Sequence, residues 1–310
     1  MATEVIDIRR FAPGDFVPLF QAEAQAWNRE LRWDHAPAVR VISNCLADRR
    51  LAGYALVYEG RIEGYSFFLC EGEKGLVGDF FVAPAFRHQA ITLLNHVLET
   101  LTATPGVRRV EAQLPHFSAE ELEPCFHEYG FTSYIRRFMA LNLEAARKPT
   151  VPEAFVIEPW ERRHDHLAAE FIYRTYRGHI DAVINDQYAT SEGAGRLVDN
   201  IFDLQGCGEP IPQASLVAVH RASQRLAGLV ALTTVRSGTA HVPQVAVGSE
   251  FQSSGLGTAL LDIAFCEAAK RHCNEVTLTV TDLNHRARRL YERLGFDTFQ
   301  VFGAFVWTHD

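Results

Sequence analysis

At 310 residues, 47% hydrophobic and 22% charged, the chain has the make-up of a globular protein long enough for two ordinary domains. A formal net charge of −8 argues against a protein that coats nucleic acid or anionic membrane. No apolar run approaches the roughly 20 residues that span a bilayer, and Met1–Asp7 has no basic segment followed by an apolar core, so a cytoplasmic protein is expected.

In chain order, a strand is predicted near Val5–Phe11, then helices within Asp15–Ala26 and Pro37–Ala47. Strands at Ala52–Tyr58 and Arg61–Leu69 flank a turn at Glu59-Gly60 and read as a hairpin. A strand at Leu76–Val82, an apolar helix at Ala90–Leu101, a strand at Arg109–Leu114 and a short helix near Glu120–Glu128 follow, and Tyr134–Leu141 reads as a further strand. Two prolines in Arg147–Pro152 interrupt regular structure and mark a linker at 147–152 between domains 1–146 and 153–310.

Beyond the linker the order repeats. It runs Phe155–Pro159, helices in Asp165–Tyr176 and Glu192–Leu204, and strands at Leu216–Val219, Leu226–Val235 and His241–Val247. The helix Gly255–Arg271 carries Leu256, Ala259, Leu260, Ile263 and Cys266 at helical spacing, and the strand Glu275–Thr281, the helix His285–Leu294 and a last strand Val301–Thr308 complete the chain. Val82 and Val247, Arg87 and Gln252, and Gly130 and Gly295 each lie 165 positions apart. A constant register over that distance indicates tandem duplication. The six cysteines form no Cys-x-x-Cys pair and no zinc-ligand spacing, so reduced thiols and no metal are expected.

The chemistry-bearing stretch is Val245–Val247 running into Gln252, Ser253, Ser254, Gly255, Leu256, Gly257 and Thr258. A strand entering a Gln-x-x-Gly-x-Gly turn that opens a helix builds an anion site from backbone amides: glycines let the main chain approach, and the helix N-terminus offers unpaired N–H groups. A Rossmann reading fails on context, because the turn comes late, after antiparallel hairpins, with no acidic residue closing the following strand at the usual distance.

With the later run Asn284–Phe296, in which a Tyr follows Asn284 by seven positions and a Leu-Gly-Phe ends the helix, the second copy resembles the GNAT acyltransferase superfamily. The likeness covers roughly Leu216–Thr308 and extends more weakly, through the duplication, to the whole chain; the tandem layout is similar to that of the mycothiol synthases. The resemblance implies an α+β fold of two GNAT-like domains, each a mixed, mostly antiparallel sheet flanked by helices with a splayed parallel strand pair. It implies acetyl-CoA as co-substrate, held by the amides of Gln252–Thr258, by exposed backbone at Val245 and Val247, and by Asn284 and Ala287. Tyr291 becomes the acid that protonates the departing thiolate. The acceptor becomes an amine of a small molecule or a protein, received near Tyr173–Tyr188, where Asp181 and Asp186 are candidate contacts, by a monomer or homodimer that binds neither nucleic acid nor membrane.

The general base stays open, since the strand before the turn offers only His241 and Gln244. In the first copy the register puts Ala90, Thr92, Ala119 and Phe126 under Gly255, Gly257, Asn284 and Tyr291, so that copy is expected to be non-catalytic. Arg87 under Gln252 leaves weak phosphate affinity open. The alternative reading is a non-catalytic acyl-CoA sensor, favoured by the lack of a carboxylate base.

Overall fold

The computed structural model describes residues 3–143 and 149–309, so 147 and 148 of the expected linker lie outside the described residues. The chain forms two compact units, Met1–Arg136 with Gln300–Asp310, and Arg137–Phe299.

Unit 1 opens with β1 (Glu4–Asp7), then α1 (Val17–Ala26) and α2 (Ala36–Ala47). Strands β2 (Ala52–Tyr58), β3 (Arg61–Glu71) and β4 (Lys74–Val82) follow, with α3 (Ala90–Ala103), β5 (Arg109–Gln113) and α4 (Ala119–Glu128). The sheet runs β1-β2-β3-β4-β5, antiparallel except for β4 and β5. Neighbouring side chains of a strand point to opposite faces. Leu56 therefore packs with Leu93, Leu94 and Leu98 of α3, while Ala55 and Val57 pack with Leu19, Phe20 and Ile42 of α1 and α2.

After β6 (Thr132–Asn142), unit 2 has β7 (Phe155–Pro159), α5 (Asp165–Tyr176), α6 (Ile180–Ile184) and α7 (Ser191–Phe202). Strands β8 (Glu209–Pro210), β9 (Leu216–His220), β10 (Arg225–Arg236) and β11 (Thr239–Val247) lead to α8 (Leu256–Ala269), β12 (Glu275–Thr281), α9 (His285–Leu294) and β13 (Asp297–Thr308). The order β12-β11-β10-β9-β7 is parallel only at β11–β12. Along β10 the same alternation holds: Leu229 and Ala231 face α5 and α7, and Val230 and Leu232 face α8. Among the described residues no helix is long and apolar enough to cross a membrane.

The units divide the chain differently from 1–146 and 153–310. Residues 304–308 of β13 pair antiparallel with β5 inside unit 1, where Phe305 stacks on Phe126 at 3.8 Å. Residues of β6 from Arg137 onward belong to unit 2, where Met139 and Leu141 join the core and Leu143 N–H donates to the Asn274 carbonyl at 2.8 Å. Each parallel strand pair leaves an outer edge that a long antiparallel strand can close. The two homologous strands are alike in length and apolar pattern, so either serves either edge.

Candidate functional site

Each parallel pair begins as a ladder and then opens. In unit 2 the β11–β12 register runs from Thr239↔Glu275 to Val242↔Leu278 and stops. The next residue, Pro243, has no N–H to donate, which ends the ladder there. Beyond it, β11 still pairs with β10 as far as Val247↔Gly228. The carbonyl of Val245 accepts from the Tyr176 hydroxyl at 3.3 Å, and that of Val247 from Gln252 Nε2 at 3.5 Å. Both carbonyls thus point away from β10, and in a strand the N–H of each residue points the same way as its carbonyl.

The strand opening continues into a cleft of about 690 Å³. Val245, Ala246, Val247, Gln252, Ser253, Gly255, Gly257, Thr258, Asn284, Ala287 and Tyr291 all line it, so most residues singled out in the sequence converge there. Ser254 and Leu256 do not line it. The Ser254 hydroxyl donates to the Phe251 carbonyl at 2.6 Å and shapes the turn, and the Leu256 side chain is buried in the core.

The turn is a cradle because of its backbone. Ser253 and Gly255 take left-handed conformations, φ 66° and 85°. Gly255 is the residue type that adopts this at least cost. The first full-turn bond of α8 is Ala259 N–H to the Gly255 carbonyl at 3.0 Å, so the Gly257 and Thr258 amides precede the ladder and face the helix N-terminus.

Tyr291 owes its position to the end of α9. Phe296 N–H donates to the Tyr291 carbonyl and Gly295 N–H to the Glu292 carbonyl, each at 3.0 Å, with Gly295 at φ 93°. This is a Schellman ending, and its apolar contact is the pair Tyr291–Phe296, with ring centres 5.8 Å apart. The Leu-Gly-Phe signature therefore holds the tyrosine. Burial first, then the nearby Tyr176 and Asp181, push the phenol well above its ordinary range, so it stays protonated through neutral pH. Asn284 caps α9, its Oδ1 accepting from Ala287 N–H at 3.2 Å.

Three arginines escaped the sequence reading. Arg286, Arg289 and Arg293 lie on one face of α9 and line the cleft. Arg286 donates to Gln252 Oε1, and to Ser253 Oγ at 3.1 Å. The signal was present in His285–Arg293 as a basic face at spacings of three and four.

On the wall opposite, Thr175, Tyr176 and His179 line the cleft. Asp181 accepts from Thr281 Oγ1, and its other oxygen lies 3.3 Å from His179 Nδ1 and 3.5 Å from Asn284 Nδ2. It ties α6 to the end of β12. Asp186 starts the short turn Asp186–Tyr188 and does not line the cleft. Neither base candidate has base geometry. His241 is buried, bonded to Thr277 Oγ1 at 2.9 Å, and burial pushes its imidazole down to about 3. The Gln244 amide is engaged by the hydroxyls of Tyr188 at 2.9 Å and Tyr176 at 3.2 Å.

Residues 180–296 match the model of the acetyltransferase (GNAT) family. Over 63 residues the chain is 43% identical to N-alpha-acetyltransferase 40 of Saccharomyces cerevisiae, a stretch that is 18% of this chain and 22% of that relative. Nearly the whole chain shares its fold with a GCN5-related N-acetyltransferase from Sphaerobacter thermophilus, with a TM-score of 0.70, 17% identity, and coverage of 99% and 95% of the two chains. A tandem GNAT protein from the clavulanic acid biosynthesis pathway, solved without acetyl-CoA, is similar over 99% and 98%, with a TM-score of 0.64 and 18% identity.

Proposed function

We propose that unit 2 transfers an acetyl group from acetyl-CoA to a primary amine of a small molecule or protein, a reading supported by the match of residues 180–296 to the GNAT family and by the fold shared with a tandem GNAT protein. One observation carries the reading: the β11–β12 opening, the Gln252–Thr258 cradle and the protonated Tyr291 share one cleft.

The residues divide the work as thioester aminolysis requires. The amides of Gly257 and Thr258, with the side chain of Arg286, hold the pyrophosphate, combining helix dipole, N–H donors and a fixed cation. The outward N–H groups of Val245 and Val247 hold the pantetheine arm, and one of them stabilises the carbonyl oxygen as it gains charge, an interaction worth about 10²–10³ in rate. As the amine nitrogen bonds to the carbonyl carbon, the carbon–sulfur bond breaks. Tyr291 gives its hydroxyl proton to the leaving sulfur. The amine attacks as the neutral base and then sheds a proton to solvent, because His241 and Gln244 are committed elsewhere, and solvent returns a proton to the Tyr291 phenolate. Asn284 and Ala287 position the α9 end of the site.

Thiol release from acetyl-CoA across an amine panel tests the reading. The panel begins with α-amines, after the N-alpha-acetyltransferase of yeast that is similar over 63 residues. Release with at least one amine class is expected. Tight binding of acetyl-CoA with no release on any amine would instead establish a sensor, the reading that the missing carboxylate base favours.

A further inference from the structure

Unit 1 holds a second polar centre that the transfer chemistry does not use. Glu23 on α1, His35 at the start of α2 and Asp79 on β4 converge, their donor atoms all within 4.8 Å of one another. Glu23 is 0% exposed, His35 5% and the Asp79 side chain 15%. His35 Nε2 lies 3.1 Å from Asp79 Oδ2 and 3.8 Å from Glu23 Oε1, yet neither His35 Nε2 nor Glu23 Oε1 has a hydrogen-bond partner. The atoms are close but not aligned for hydrogen bonding. An unsatisfied buried donor or acceptor costs about 1–3 kcal/mol, more when charged, so a pair of them in one place calls for an occupant.

We propose that Glu23, His35 and Asp79 bind one divalent transition-metal ion, zinc by donor chemistry. With metal–ligand bonds of 2.0–2.1 Å, a tetrahedral site spaces its ligand atoms about 3.3–3.4 Å apart, and the observed 3.1 and 3.8 Å bracket that edge. An ion held by these three residues would bond His35 through Nε2 and each carboxylate through one oxygen. One imidazole and two carboxylates leave the fourth position to water. The supporting contacts are those of a metal site: Tyr65 donates to the other Glu23 oxygen at 2.8 Å, leaving Oε1 for the ion. Trp27 lies flat on the His35 ring at 4.6 Å and sets its plane. The site is peculiar to this copy, because the register puts Gln244 where Asp79 stands, and an amide bonded to two tyrosines is no such ligand. It departs from the metal-free chain expected from cysteine spacing, because no cysteine takes part.

Chelator-treated full-length chain titrated with zinc by calorimetry should bind one ion. Cobalt(II) should give tetrahedral visible bands without the thiolate charge-transfer band that binding by the six thiols would produce. Asp79→Asn and His35→Gln should each lower zinc affinity at least ~100-fold, and Tyr65→Phe about 10-fold, within the range of outer-shell changes. Should a variant fail to fold, hydrogen exchange of the unaltered chain decides. Zinc should protect α1, α2 and β4, and protection elsewhere or nowhere overturns the site. Absence of binding, undiminished binding in both ligand variants, or a thiolate band overturns it equally.

Discussion

Units 1 and 2 hold the same aromatic in the same way and differ in what surrounds it. Phe131 N–H donates to the Phe126 carbonyl at 3.1 Å, Gly130 stands at φ 80°, and the Phe126 and Phe131 rings meet at 5.0 Å. That is the Tyr291 ending without the hydroxyl. The parallel pair opens early here too, its register stopping at Leu76↔Glu111. Helix ending and strand opening are thus properties of the fold, kept without the residues for chemistry. The cradle is the part that was lost. Between Pro84 and Thr92 no residue has positive φ, and a turn of 3-10 helix runs directly into α3. Arg87 is held by both oxygens of Glu121, at 2.8 and 2.9 Å, by the His116 carbonyl at 2.7 Å, and over the Phe117 ring. Glu121 stands in register with Arg286. A carboxylate of the protein's own thus occupies the cation in unit 1, and the weak phosphate affinity that Arg87 suggested has no open guanidinium behind it. The contrast teaches that the two units differ in the cradle and its charge more than in the sheet.

Copying unit 1 into unit 2 is the most direct way to break that contrast. The double change Gly255→Ala with Gly257→Thr should weaken acetyl-CoA binding at least ~100-fold by calorimetry. It puts a Cβ on a left-handed residue, at about 1–2 kcal/mol, and side-chain bulk in the cradle. Arg286→Glu, the Glu121 state, should cost about 30-fold in affinity and reduce its salt dependence, since a charge-assisted contact becomes a repulsion. Tyr291→Phe, the Phe126 state, should lower turnover at least about tenfold with acetyl-CoA affinity unchanged, in the range of general acid catalysis. Unchanged turnover would remove the acid role.

Two smaller effects concern stability. His241 is neutral in the fold because burial holds its imidazole near 3, against an ordinary 6.5. Unfolding lets it take a proton below 6.5, so stability should fall as pH drops from 6.5 toward 3. His241→Asn should flatten the slope of melting temperature with pH over that window. Glu121 is held at about 2, chiefly by Arg87. Its contribution is present above 4.5 and lost as pH falls toward 2. The pair is partly exposed, so Glu121→Gln should cost less than about 1 kcal/mol at neutral pH by denaturant unfolding.

Much of the site was legible because its signals are local. Gly255 and Gly257 follow a strand and open a helix, and Gly295 and Phe296 end one, within spans of a few residues. The α9 arginines are equally local, but a basic face at spacings of three and four is also what a solvated helix carries, so spacing alone does not mark them as cleft residues. His241 shows the opposite limit. A histidine near a strand start reads as exposed, and only its burial beside Thr277 makes it a neutral core residue.

By itself the sequence determined the duplication, the element types and the residues of the cradle, since register, periodicity and turn chemistry are written in short stretches of chain. Only the tertiary structure decided which final strand completes which unit, where the parallel ladder opens, and that Glu23, His35 and Asp79 meet. Those depend on contacts between residues far apart in sequence, and no local pattern encodes which of two similar strands fills an edge or which buried polar groups share a point in space.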